Sequence, residues 1–164
     1  MKITMTPRKI KKNAFLPKLK KRLEELTKTD IKVGYFEDSG SHSQAKVPYA
    51  VLMCWHELGL GNYPARPAID IGGELVIQSF RKGEFRRQVS SLLIEGVKQN
   101  ILNNIATGMT EIVSDVFGSS KLVDNADSTI SRKGDNSPLI ETGELLSNIG
   151  YKINDGETVK PISE

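Results

Sequence analysis

The sequence predicts an α+β fold: a small β-sheet packed by an N-terminal helix and a long central helix, with a long polar loop before the C-terminal strand. Three observations predict it. Val89, Leu93, Val97, Ile101, Ile105 and Met109 fall on one i, i+4 row, the signature of one buried helix face. Ile31-Lys32-Val33-Gly34-Tyr35-Phe36 and Ile149 to Asn154 alternate apolar with polar or small residues, as half-buried strands do. Between the helix and the second strand, residues 118–137 are rich in Ser, Asp, Asn, Lys and Gly and show no usable period.

Each element follows in turn. Leu16, Leu19, Leu23 and Leu26 recur at helical spacing, predicting an amphipathic helix over about 15–28, with Pro17 in a first turn where proline is tolerated. Residues 31–36 form the first strand, and a polar loop runs from Glu37 to Lys46. Val47 to Leu58 is too uniformly apolar for periodicity to decide; Pro48 suits a first turn and Gly59 the position past a helix end, so helix is the reading. Gly59 and Gly61 allow a sharp reversal into Asn62-Tyr63-Pro64. Pro67 can open a further helix with Asp70 near its positive end, although Gly72-Gly73 weakens that start. The long helix runs from about Glu84 to Phe117, with a break expected at Gly108. Within 118–137 a hairpin around Asn125-Ala126-Asp127 is an option, anchored by Leu122 and Ile130. Thr142 caps a short helix through Ser147, with Glu144 in its first turn, before the closing strand over 149–154.

At 164 residues the chain suits one domain. Its expected organisation is a basic arm over 1–14, a single domain over 15–154 with 118–137 as an extended loop, and a C-terminal tail over 155–164. A hydrophobic fraction of 38% and 6% aromatics imply a modest core, of the kind that completes its burial against neighbours. Nine of the 23 bases and none of the 20 acids fall in residues 1–22, leaving 14 bases against 20 acids elsewhere. A cationic head of this kind meets phosphate, an acidic protein rim or an anionic membrane, or is simply solvated. The single cysteine, Cys54, excludes an internal disulfide and any multi-cysteine metal site, and its neighbours Met53 and Trp55 make it a buried hydrophobe in this reading. No apolar run reaches the roughly 18 residues that cross a bilayer. The N-terminus has charge without the apolar stretch of a secretory signal, which points to use in a reducing cytoplasm.

His56-Glu57 is the nearest approach to a catalytic signature. A zinc-protease helix needs a second histidine four residues on, so that both rings leave one face; Leu60 stands there instead, and His42 lies in a loop. No phosphate loop is present, since Gly59-Leu60-Gly61 lacks the lysine such a loop requires. No cofactor, metal or small-molecule substrate is therefore expected. Glu57, Gly59, Pro64, Arg66 and Pro67 read as a structural turn, with Arg66 held in place by flanking prolines and bridged to Glu57, or else directed at an acidic partner. Thr142, Gly143 and Leu145 read as a structural cap. Arg8, Lys9, Lys11, Lys12 and Lys18 are candidate contacts to a partner or a DNA backbone; without interleaved aromatics they offer no base-stacking platform.

The order Val-Gly-Tyr-Phe (33–36), Tyr49-Ala50, His56-Glu57-Leu58-Gly59, Pro64-Ala65-Arg66-Pro67, a long helix, and Pro138-Leu139-Ile140-Glu141-Thr142-Gly143-Glu144-Leu145 before a closing strand resembles the tail-completion and virion-morphogenesis proteins of long-tailed bacteriophages. The likeness covers roughly Ile31 to Ile153. It differs at Ala68, where the family usually has a large aromatic, and in its longer basic head. The resemblance implies a non-enzymatic virion neck protein that assembles as a ring, commonly sixfold, around the DNA conduit. Such a ring docks on the tail-terminator ring and meets head-side connector proteins; non-specific contact with genomic DNA is an option that the basic head leaves open. A tail-terminator subunit and a small nucleic-acid-binding accessory protein are the rival readings.

Overall fold

The computed structural model describes residues 15–61 and 64–162. The basic arm at Arg8, Lys9, Lys11 and Lys12, and residues 62–63 of the reversal, lie outside them. Among the described residues the chain forms seven α-helices and one two-stranded antiparallel sheet, a mixed α+β fold. In chain order these are α1 (Phe15–Leu26), β1 (Ile31–Gly34), a 3-10 turn (Glu37–Ser39), α2 (Tyr49–Leu58), α3 (Ala68–Lys82), α4 (Arg86–Glu95), α5 (Gln99–Ser114), α6 (Asp127–Lys133), α7 (Glu144–Asn148) and β2 (Gly150–Ile153). β1 and β2 pair with Ile31 opposite Ile153 and Gly34 opposite Gly150.

α5 is the central strut. Its Val113 joins Tyr49, Leu52, Met53, Ala68 and Val76 in one buried cluster, while its Leu102, Ile105 and Ala106 join Phe85, Leu92, Tyr151 and Ile153 in a second. Met109 and Ile112 pack against both. Of the predicted i, i+4 row, Ile101, Ile105 and Met109 lie on this helix and pack on these clusters, whereas Val89 and Leu93 belong to α4 and Val97 to the link between the two. The approach of α3 to α5 depends on Gly72: a Cβ there would stand 2.9 Å from the Val113 backbone. Gly72 thus serves the crossing and sits well inside its helix.

Several expectations are corrected. The long helix is two helices, broken at Gly96 rather than at Gly108. Gly96 has φ +102° and closes α4, whereas Gly108 remains helical beneath the Phe85 ring, where an added Cβ would lie 3.0 Å from the ring edge. The segment 118–137 is not simply an extended loop: Leu122 is buried and α6 forms inside it, closed by Gly134 at φ +82°. No hairpin forms there; Asn125 N–H instead donates to Asn136 Oδ1 at 2.8 Å. Cys54 is exposed, because α2 buries Tyr49, Leu52 and Met53 and turns Cys54 outward.

The two ends of the domain also differ from expectation. α1 packs mainly on α4, fastened by Arg22 Nη1, which donates to the Leu93 carbonyl at 2.9 Å and to that of Ile94, while its Leu26 packs on the cluster that holds Tyr151 and Ile153 of the sheet. It buries none of its residues. Residues 155–162 are no tail. Val159 exchanges backbone bonds with Tyr151, and Lys160 Nζ donates to Ser39 O at 2.9 Å and Asn148 Oδ1 at 2.8 Å. Ile162 packs on the first cluster. Gly150 permits this closure, since its Cβ would meet Val159 O at 2.7 Å.

Candidate functional site

The two motif segments, far apart in sequence, line one cavity of about 800 Å³: His42, His56, Pro64 and Arg66 from one side, Thr142 to Leu145 from the other. α6 and Asp124 to Ala126 supply a further wall.

The turn begins with Gly59 at φ +65°, a left-handed cap whose N–H donates to Trp55 O. A Cβ at Gly59 would lie 2.7 Å from Ala65 N, so the returning chain requires glycine there. Arg66 N–H closes the turn on His56 O at 2.7 Å. The backbone thus returns beside Glu57 as the sequence predicts, but the Glu57–Arg66 bridge does not form. Glu57 Oε1 accepts the Ile69 N–H at 2.6 Å, at the start of α3, where free backbone donors attract a carboxylate. Pro67 occupies the N-cap of α3, with no N–H of its own to satisfy. Burial raises the Glu57 pKa, and bonds from the α3 N–H groups oppose it.

Arg66 points the other way. Only 7% exposed, it donates from Nε to Val123 O (2.8 Å) and from Nη2 to Asp124 O (2.8 Å) and Asn125 Oδ1 (3.2 Å). One guanidinium therefore pins residues 123–125, the approach to α6, against the turn. Burial works against its charge, and nearby Asp124 partly supports it. His56 titrates below its ordinary value, first because it is buried and second because Arg66 is close.

On the opposite wall the cap differs from its expected form. The N-cap of α7 is Gly143 at φ +76°, and Thr142 Oγ1 lies 3.4 Å from the Glu144 N–H, beyond a good bond. Leu145 is buried, and its carbonyl accepts the Tyr35 hydroxyl at 2.6 Å, tying α7 to the end of β1. Glu144 does more than favour a helix dipole. Its carboxylate accepts Ser43 N–H at 2.8 Å, the Ser43 hydroxyl and the Tyr49 hydroxyl at 3.0 Å, with His42 Nε2 3.9 Å away. The Ser43 bonds draw its pKa down to about 2. Sequence reasoning missed Ser43, Tyr49, Asn125 and this role of Glu144. The only signal was that Tyr49 and Glu144 both sit inside the two motif segments.

Charge around the cavity is spent on internal ties. Arg132 pairs with Glu141, and Lys133 Nζ donates to Ser137 O at 2.8 Å and to Ile140 O. A carboxylate held as low as Glu144 is a poor proton acceptor near neutral pH. Among the described residues no group of three His, Cys, Asp or Glu side chains could hold a metal ion, and no helix is long and apolar enough to cross a membrane. Lys18 lies on α1 and is exposed; Arg8, Lys9, Lys11 and Lys12 lie outside the described residues. No protein-family model, curated protein or solved structure matches the chain.

Proposed function

We propose that the chain is a non-enzymatic virion structural protein that completes the head-proximal end of a phage tail and joins it to the head as part of a ring-shaped neck. The observation that carries the reading is the convergence of its two motif segments on one cavity whose charged groups hold loops together. Arg66, Glu57 and Glu144 each fasten a separate loop or helix end, which is what a rigid mating surface needs. A second support is unburied apolar surface: Phe15, Leu16 and Leu23 of α1 and Ile77 and Phe80 of α3 are at least 40% exposed. Association would remove these side chains from water.

In this reading copies of the chain close into a ring, sixfold in the family it resembles, between a tail-terminator ring and head-side connector proteins. Contacts too weak to hold singly are multiplied around the ring. Arg8, Lys9, Lys11, Lys12 and Lys18 line the conduit or grip an acidic neighbouring ring. Assembly takes place in the host cytoplasm and the product resides in the virion.

Electron microscopy of particles made without this protein tests the reading. Tails of normal length that accept no heads are expected. Overlong tubes would mark a tail terminator instead, and infectious particles of ordinary form would overturn both. Replacing Lys9, Lys11 and Lys12 with glutamine should slow joining and flatten its salt dependence. A gel shift of duplex DNA by the monomer, lost on removing residues 1–22, would favour the nucleic-acid accessory reading.

A further inference from the structure

The sheet stops short on one side. Tyr151 exchanges both backbone bonds with Val159, at 2.9 and 3.0 Å, and Asn154 N–H donates to Asp30 O at 2.7 Å. Bonding direction alternates along an antiparallel strand, so Lys32 and Gly34 are the β1 residues bonded to β2. Ile31 and Val33 turn their N–H and C=O groups the other way, and these find no partner among the described residues. Beside this bare edge, from Val33 to Phe36, runs an open furrow of about 410 Å³ whose far wall is α2, with Met53, Cys54 and Leu58. Leu58 is 64% exposed. Among the described residues, the charged ones lining the furrow are Glu57 and Asp70, both acids.

An edge strand facing a helix across an apolar furrow suits strand addition: backbone bonds supply affinity and alternate side chains fill the furrow. The occupant must be extended, apolar at alternate positions, basic and free of acids. Lys2-Ile3-Thr4-Met5-Thr6 meets these demands. Ile3 and Met5 alternate with Lys2, Thr4 and Thr6, and Pro7 ends the run where a ladder must stop. Arg8, Lys9, Lys11 and Lys12 follow, and no acid precedes Glu24. These residues are joined to α1, whose Leu16 and Leu23 are 63% and 47% exposed. We propose that the β1 edge and its furrow receive residues 2–6 of a second copy of this chain as an added strand. The inference takes its source of second copies from the ring reading above and supplies the contact that links neighbours.

Cys54, the chain's single cysteine, lines the furrow and makes the test direct. Met5→Cys in the full chain, mildly oxidised, should give a ladder of covalent oligomers on non-reducing gels, with mass mapping joining the introduced thiol to Cys54. The ladder should be absent from wild type and from Met5→Cys with Cys54→Ser. Adding Thr4→Pro, which removes a backbone donor without touching the described fold, should cut the linked fraction at least tenfold. A link confined to monomers, meaning that the arm fills its own furrow, overturns the proposal. So does the absence of any link to Cys54. Sedimentation of wild type separates the two readings. Closed rings without the link sink strand addition alone, linked open chains sink the ring alone, and a monomer without the link sinks both.

Discussion

Arg66 and Glu144 do opposite kinds of work at the same cavity. Arg66 is a buried cation solvated by carbonyls, so truncating it strands the acceptors of Val123 and Asp124. Arg66→Met should lower unfolding stability by roughly 2–4 kcal/mol in urea titrations. Arg66→Lys should recover less than half of that, because one ammonium cannot reproduce a fork that reaches two carbonyls from separate nitrogens. Glu144 is an anion whose folded pKa lies below its unfolded one. Its contribution is therefore complete above the ordinary value of 4.5 and disappears as pH falls toward about 2. Glu144→Gln should reduce Tm at pH 7, and the gap from wild type should close across that window in a series of thermal melts. A gap that persists unchanged at pH 2 would show that the carboxylate's charge is not what holds the 42–49 loop.

At the scale of elements, adjacent glycines in α3 make a controlled pair. Gly72→Ala pushes a methyl group into the Val113 backbone and should cost about 1–3 kcal/mol as α3 and α5 separate. Gly73→Ala meets nothing within 4 Å in the same helix and should stabilise by about 0.5–1 kcal/mol. Denaturant midpoints of the two variants should shift in opposite directions. This pair also shows what the sequence makes legible. Periodicity located α1, α5 and both strands, since an amphipathic element keeps regular spacing whatever it packs against and even where, as in α1, no residue is fully buried. It could not distinguish Gly96 from Gly108 as the break, because only the Phe85 ring over Gly108 reveals which glycine serves packing and which serves a turn. The same holds at the site. Gly59 and Pro67 are local devices and were readable; the partners of Glu57, Arg66 and Glu144 lie 12, 57 and 101 residues away in the chain and were not. α6 escaped notice because seven residues with no buried side chain carry no apolar rhythm.

Over the whole molecule, the stretch after β2 completes the structure. Removing residues 155–164 deletes the Val159 pairing with Tyr151, the two Lys160 bonds and the Ile162 packing. Truncation should cost roughly 2–4 kcal/mol, read as an earlier urea midpoint with a single cooperative transition, since α5 belongs to both clusters. Among the described residues the one sheet joins residues 31–34 to residues 150–153. Synthesis must therefore pass Ile153 before β1 acquires its mate, while the helices between them can consolidate earlier. Such long-range closure slows folding. Until it happens, β1 has two bare edges, and the nascent chain is at its most vulnerable to pairing with the wrong strand.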